Sequence, residues 1–579
     1  MVETYNVIID DNIKVENSFP KIYIHPFQKT YKNEKLIKSL SEGDIISNHA
    51  FLKNIKSNLL LSTSKYLNNF HQINYSEKFW DIEIGYWLDI YVFSMFESWE
   101  MMSSLLNMES NFLIKVRKNS EKDLLVQTVD HLGIKFQTPG FRESIFFFII
   151  KYRFSDNKKF SIYETQNTSE SLEILENRDY DKMNKKKMIL KIYNLIFSKF
   201  IKRQKYSILR SYLSKREDLQ LNFKLKQFPT FVPNLYSICK PDYELRKKIT
   251  LPEAKDNEFE NFLYKSIFSF IPVSFLEGFK EVEKKLNQLT LPKKPKKIFS
   301  SNMLNKNLLT RYCAHNVEQG AKLVLATHGG CYGHYNIHGA EEHERKISSL
   351  YLTYGWKDKN DPKIKPLGMI RPLPKFDKNK EKKLLTMILP SAPIFSNFID
   401  SRASEDKLLL FQHCFRIVDN LNDKIRLNNL LIRINPSDAG MGEKIRFENK
   451  YPNIKIDAQK MSYYETLSNT KIFLSPYNGT GFLETLALNI PTIVTEFFRG
   501  KNFLREDAKE YYEILKEAKI YFDDQKLLAE HINSIWDNHL DWWYSDKVQK
   551  AVNIFCNEFA YINKNKVSEI KKLLTNNYD

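Results

Sequence analysis

Ser475-Pro-Tyr-Asn478-Gly479-Thr480-Gly481-Phe482-Leu-Glu484-Thr-Leu-Ala-Leu-Asn489-Ile-Pro491-Thr-Ile-Val494 is the stretch whose reading decides the fold. The apolar run Ile472 to Leu474 reads as a strand that enters a loop of small residues, a helix follows, and Pro491 opens a second strand over Thr492 to Val494. Gly479 and Gly481 let the backbone approach a ligand closely, and a helix start aims free amide groups at it, which suits a phosphate. Glu484 lies one turn into that helix, where a carboxylate can accept hydrogen bonds from the two hydroxyls of a ribose. The plainer alternative is an ordinary first-turn carboxylate stabilised by the helix dipole. Ser475, Asn478, Gly479, Thr480, Gly481 and Glu484 are therefore the candidate ligand-binding residues of this segment.

Upstream, Leu384 to Leu389, Leu430 to Ile434 and Ile454 to Ile456 read as further strands, with Asp400 to Leu421 and Tyr463 to Ser468 as helices. Arg433 ends the strand LLIRI before Asn435-Pro436, and its planar fork suits a bidentate phosphate contact, with a salt bridge to a neighbouring helix as the alternative. Further back, Asn305 to Gln319 reads as a helix and Lys322 to Thr327 (KLVLAT) as a buried strand, and His328-Gly329-Gly330 stands at its carboxyl end. Ligands of open α/β sheets bind beyond that end of the strands. An imidazole there can deprotonate a hydroxyl or, protonated, stabilise a phosphate, while Gly329 and Gly330 leave room for a ligand. His328 is the leading catalytic candidate. Glu341 and Glu344 are the reserve bases, since burial raises a carboxyl pKa, and His25, after Ile24, comes next. His334 and His338 are spaced as helical zinc ligands would be, but no His-Glu-x-x-His is present, and no metal is expected.

The composition of this 579-residue chain, 42% hydrophobic, 14% aromatic and 27% charged, is that of a globular protein and excludes disorder as the main state. The densest apolar run, Ile145 to Ile150, ends at Lys151, short of the ~20 residues a bilayer span requires. The start MVETYNVIIDDN has neither a basic opening nor a long apolar segment, so no secretory signal and a cytoplasmic location are expected. Five cysteines without a CxxC pair fit reduced thiols.

The net charge of +18 is concentrated: residues 151–250 hold 23 Lys+Arg against 11 Asp+Glu. Within them, Lys182 to Arg216 carries twelve basic residues and no acidic one, interleaved with Ile196, Phe197, Phe200, Tyr206 and Leu213. An anionic membrane surface or acceptor, a solvated basic face and nucleic acid are the three readings, and no RNP aromatic motif or zinc knuckle supports the last. Ile22 to Ile24 reads as a strand stopped by His25-Pro26. Residues 30–150 read mostly helical, with a core face around Phe79-Trp80 and Gly85-Tyr86-Trp87-Leu88. Leu291 to Lys297 reads as a short exposed linker. No 20 to 50-residue repeat is present.

The Gly-Thr-Gly-x-x-Glu loop with Leu-Ala-Leu-Asn-Ile-Pro resembles the donor-nucleotide segment of GT-B glycosyltransferases, in which the Glu holds the ribose and the small residues face the phosphates. Asn489 stands where many members have Gly, and Asn tolerates a positive φ. The chain is similar over most of its length to a family of transferases encoded among bacterial O-antigen and surface-polysaccharide genes. The shared motifs are Phe79-Trp80, Gly85-Tyr86-Trp87-Leu88, Thr327-His328-Gly329-Gly330-x-Tyr332-Gly333, His343-Glu344, Tyr354-Gly355-Trp356, Arg433-Ile-Asn-Pro436, Asn478-Gly479-Thr480-Gly481 and Trp542-Trp543. Two departures are Thr327, where Gln is expected, and Cys331, which interrupts a Gly run.

This resemblance implies a GT-B-like α/β fold of two Rossmann-like domains facing a cleft. An acceptor-side domain would span 1–375 with a helical, basic insertion at about 150–290, and a donor-binding domain would span 376–579, its last helices packing back across the cleft. It implies a metal-independent glycosyltransferase with no cofactor. Its substrates would be a nucleotide-sugar donor, CMP-linked donors included, and a glycan or lipid-linked glycan acceptor of a bacterial surface polysaccharide or lipopolysaccharide O-antigen. Gly329, Gly330 and Arg433 join the donor-binding set. The protein would be cytoplasmic or peripheral at the inner membrane, with the anionic surface met by residues 182–216 and nucleic acid not a partner. A CDP-polyol phosphotransferase of the glycerophosphate-polymer type and a non-enzymatic nucleotide-binding scaffold are the alternatives.

Overall fold

The computed structural model describes the chain apart from residues 1, 10–14, 16–17, 25–34, 38–39, 118–123, 136–138, 155–156, 166–184, 232–238, 253–254, 305–306, 391–398, 400–403, 437–439, 497–500 and 577–579. His25 thus lies outside the described residues.

Three five-stranded sheets are present among the described residues, and every pairing in them is parallel. The first contains β1 (Glu3–Ile8), β2 (Lys21–Tyr23), β3 (Lys35–Leu36), β4 (Ser110–Arg117) and β5 (Phe160–Thr165), in the order β3-β2-β1-β4-β5. The second contains β6 (Tyr206–Leu209), β7 (Lys297–Ser300), β8 (Lys322–Ala326), β9 (Leu350–Thr353) and β10 (Ile364–Pro366), laid side by side in chain order. The third contains β11 (Leu384–Ile388), β12 (Leu430–Arg433), β13 (Lys455–Asp457), β14 (Thr470–Ser475) and β15 (Thr492–Val494), in the order β13-β12-β11-β14-β15. Parallel sheets are covered on both faces, so their strands are written as unbroken apolar runs. That is why KLVLA, LYLT and TKIFLS are buried almost throughout.

The expected α/β class and its two facing units are present in the second and third sheets. The first sheet is an addition. Residues 30–150 are mostly helical among the described residues, as expected, but they also carry β3 and β4: Ser110–Arg117 alternates, burying Phe112, Ile114 and Val116 completely. Residues 150–290 are not a helical insertion throughout, since they give β5 to the first sheet and β6 to the second. The basic stretch is correspondingly split: the helix Lys185–Ile201 ends before β6. The Leu291 to Lys297 segment is exposed at Lys293, Lys294 and Lys296, as expected, but packed between them at Pro295 and at its start. Leu291 is buried, and the Tyr312 hydroxyl donates to the Pro292 carbonyl at 2.7 Å.

Two 30-residue helices, α1 (Glu42–His71) and α2 (Glu77–Leu106), lie between β3 and β4. A helix that is apolar all round belongs in a core, and α2 buries 23 of its residues. Four of its six carboxylates are met by a cation from another segment: Asp81 by Lys346 (2.8 Å), Glu83 by Arg311 (2.6 Å), Asp89 by Lys56 (2.6 Å) and Glu97 by Arg142 (2.5 Å). The final helix, Lys566–Thr575, returns to the second sheet. There Ile570 and Leu574 pack with Ile208, Phe299 and Val324.

Candidate functional site

The second and third sheets present their carboxyl edges to each other, and the two glycine loops meet there. β8 hands over to Thr327, whose N–H donates to the Leu352 carbonyl of β9 at 2.9 Å. The chain then leaves the sheet through His328-Gly329-Gly330-Cys331-Tyr332-Gly333. Cys331 sits at φ 75 and Gly333 at φ 79, the left-handed region in which glycine costs least. This is the physical reason for a glycine run here, and the Cys331 thiol is anchored by donating to the Asn478 carbonyl. A Cβ on Gly333 would lie 2.3 Å from the Trp356 indole nitrogen, so that position must stay bare.

On the other side, β14 ends beside β11, where the strand order reverses, the usual ligand position of such sheets. The helix Thr480–Ala487 follows, with Gly479 as N-cap and no side-chain cap. At its far end Asn489 takes φ 56, as anticipated for a residue in a glycine position, and its side-chain oxygen accepts from the Trp543 indole at 2.8 Å.

The junction itself is tight. The Gly330 N–H donates to the Thr480 hydroxyl at 2.9 Å, and a Cβ on Gly330 would fall 2.5 Å from both Gly479 C and Thr480 N. Below it lies a buried polar network. The Asn478 N–H and the Tyr335 hydroxyl both donate to Glu496 at 2.7 Å, the Asn478 amide donates to the Tyr512 hydroxyl, and that hydroxyl lies 3.0 Å from His334 Nδ1. The loops of the second and third sheets are thus held to each other.

His328 opens outward, with 26% of its side chain exposed, whereas Glu344 behind it is buried. Glu344 Oε1 is 3.7 Å from His328 Nδ1, and its other oxygen accepts from the Tyr351 hydroxyl at 3.1 Å. The His328 ring lies parallel to Tyr212 at 5.8 Å, and the Tyr332 hydroxyl is 3.4 Å from Nε2. Burial first, then the charges of His338 and Arg371, lower the His328 pKa to about 4, so the ring is neutral at pH 7 and free to accept a proton. Burial raises the Glu344 carboxyl well above its ordinary range, which leaves it protonated.

The remaining sequence-stretch candidates take different stations. Glu341 is buried, accepts from the Gly333 N–H at 2.7 Å, and is pushed up to about 7, chiefly by burial. It fixes the loop rather than facing the opening. Arg433 pairs through Nη1 with Asp457, on the neighbouring strand β13 rather than on a helix, and the same nitrogen donates to the Met461 carbonyl and the Thr466 hydroxyl, both at 3.0 Å. The Ser475 hydroxyl donates to the Tyr477 carbonyl at 2.6 Å, and Asn478 is spent on the network above. His334 stacks on Phe559 at 4.1 Å while His338 caps the helix Gly339–Ile347, so the two histidines serve different neighbours.

Glu484 is nearly buried, and burial raises its pKa against the pull of Arg371, whose Nε is 4.0 Å from Glu484 Oε1. Tyr354 and Tyr463 stand close enough that the Glu484 charge, after burial, raises both phenols. Arg371, half-exposed at 51%, acts on His328 and Glu484 alike. Sequence reasoning missed it, since a lone Arg before Pro372 carries no motif. Tyr212 was also missed. The arrangement can hold a polyol on Glu484, offset negative charge with Arg371 and take up a proton at His328.

A model of the LIC12162 transferase family matches residues 26–574. No curated protein sequence matches the chain. Among solved structures, the chain is similar to the spinosyn rhamnosyltransferase SpnG complexed with spinosyn aglycone, at 10% identity and a TM-score of 0.31, over 51% of this chain and 77% of that one. The wall teichoic acid polymerase TagF is similar at 11% identity and a TM-score of 0.30, over 67% and 96% of the two chains. WaaG, a glycosyltransferase involved in lipopolysaccharide biosynthesis, is similar at 10% identity and a TM-score of 0.30, over 64% and 100%.

Proposed function

From the premise that the chain belongs to the LIC12162 family of transferases, we propose that it is a glycosyltransferase that moves a sugar from a nucleotide-sugar donor to a glycan or lipid-linked glycan acceptor of a bacterial surface polysaccharide or lipopolysaccharide O-antigen. The observation that carries this reading is the convergence of His328 and Glu484, from the second and third sheets, on one opening with Arg371 between them. In this reading Glu484 accepts from the donor ribose hydroxyls. Arg371 and the first-turn amides of the helix Thr480–Ala487 offset the charge of the departing nucleotide without a metal. His328 Nε2 takes the proton of the acceptor hydroxyl as its oxygen bonds to the anomeric carbon and the bond from that carbon to the donor phosphate breaks. The tight Gly330–Thr480 junction keeps water from the donor. The protein works on the cytoplasmic side, at the inner membrane, through residues 182–216.

Glu484→Gln tests it directly. Nucleotide affinity by calorimetry should weaken by about 1 to 3 kcal/mol with folding intact, through loss of a charge-assisted hydrogen bond. A parallel screen of CMP, CDP, UDP and GDP by thermal shift should give one nucleotide that stabilises by about 2.7 kcal/mol at 100 times its Kd. Unchanged affinity in the variant removes Glu484 from the site, no response to any nucleotide favours a scaffold, and phosphorus in the product would assign a polyol-phosphate transfer instead.

A further inference from the structure

We propose that the helix Lys185–Ile201, together with the strap Phe228–Phe231, is a docking surface for an anionic bilayer, so that the acceptor is met at the membrane surface as a lipid-anchored glycan. The acceptor part rests on the transferase reading; the docking part does not. A surface helix normally turns its apolar stripe inward. Here the inward positions are already filled. Tyr193 packs against Phe231 at 5.2 Å, Phe197 against Phe228 at 4.7 Å, and Ile201 is fully buried. The Tyr193 hydroxyl donates to the Pro229 carbonyl at 3.0 Å, and the Gln204 amide donates to the Phe228 carbonyl at 3.0 Å, so the strap is fastened across that face. The outward face is apolar as well: Ile189, Ile192, Ile196 and Phe200 follow helical spacing and Leu195 is 80% exposed.

Charge decides what covers it. No acidic residue occurs between Lys182 and Arg216, and the twelve basic ones cluster toward the ends of the helix and just beyond it. Lys199 stands within the apolar face, exposed, where a long side chain can lay its stem along hydrocarbon and keep its ammonium at the headgroups. Apolar anchors ringed by cations of a single sign match an anionic headgroup layer and oppose another basic chain such as a second copy of this one. The helix is also mechanically tied to the reacting end. Five residues after Ile201 the chain becomes β6, the edge strand of the His328 sheet, and Tyr212, at φ 58 just past that strand, lies parallel to His328. A surface seated on the bilayer therefore moves as one piece with the histidine.

The test uses the full chain and flotation with vesicles of phosphatidylcholine containing about 30% phosphatidylglycerol, against phosphatidylcholine alone. The expected result is capture by the anionic vesicles alone, released as salt rises from about 0.05 to 0.5 M. Leu195→Glu with Ile196→Glu, both at exposed positions, should cut capture by about tenfold or more. Lys199→Glu with Arg203→Glu should do the same through charge, so the proposal stays open to refutation if the first variant folds poorly. Nucleotide thermal shift should be unaltered in both, which separates failure here from failure of the transferase reading. Equal capture by neutral vesicles, capture by neither, or capture unaffected in both variants would overturn the docking surface.

Discussion

Gly330→Ala probes the contact on which the candidate site depends. The added methyl would lie 2.5 Å from two backbone atoms of the opposing loop and 2.9 Å from the Gly479 carbonyl oxygen, where ordinary contact needs about 3.4 Å or more. None of these is the end of a flexible side chain, so the two loops must part by about 1 Å. That movement stretches the 2.9 Å bond from the Gly330 N–H to the Thr480 hydroxyl, at a cost of about 1 kcal/mol. It also displaces His328, two residues away, from the donor helix, and a misplacement of that size can cost about 10²-fold in turnover. Gly329→Ala is the internal control: its methyl would meet only the Thr480 hydroxyl, at 3.5 Å, which is ordinary contact. Steady-state kinetics and nucleotide calorimetry on the two variants should show Gly329→Ala near wild type and Gly330→Ala down by about two orders of magnitude in kcat/KM, with little change in melting temperature. Equal activity in the two variants would refute the claim that the loops must touch for the site to work.

His328→Ala should lower kcat by about 10² to 10⁴ while nucleotide binding persists, and undiminished kcat would take the proton-accepting role from it. Arg433→Met should destabilise by about 3 to 5 kcal/mol in denaturant titration, because it strands the buried Asp457 carboxylate; intact stability with lost nucleotide affinity would restore the anion-binding role instead. Glu341 binds its proton more tightly folded than unfolded, its pKa being raised from 4.5 to about 7. Its contribution is present below pH 4.5 and lost as pH rises through about 7. Melting curves of wild type and Glu341→Gln between pH 4.5 and 8 should therefore differ by a pH-dependent amount, with wild type losing about 3 kcal/mol relative to the variant as pH rises. Parallel curves would contradict this.

The third sheet was legible because its strands are unbroken apolar runs and its glycine loop stands at the strand-order reversal, where chemistry and topology give the same answer. The first sheet was legible only at β2, read as a strand over Ile22 to Ile24: β3 has two residues, too short to show a period, and the alternation of β4 is enclosed by helical patterns. Glu484 was visible from its offset to the glycines. Arg433 was visible as a cation, but a sequence does not reveal which anion it meets, and here Asp457 on the neighbouring strand is the partner. Arg371 and Tyr212 have no local signal, since both matter only through what folding carries to them.

The ion pairs along α2 also set a timetable for synthesis. Arg142 arrives soon after the helix leaves the ribosome, but Arg311 and Lys346 follow far later. At roughly 5 to 20 residues per second, Lys346 is added about 13 to 53 s after Asp81. Until then Asp81 lacks Lys346 and has only Lys56 nearby, and Glu83 waits for Arg311, so neither can be withdrawn from water cheaply. The N-terminal third is therefore poorly suited to life as a separate unit. A chain stopped before residue 311 should be soluble only with a chaperone or with carboxylates neutralised, and breakpoints for splitting or fusing this protein belong after Lys346 rather than at the boundary between its first two sheets.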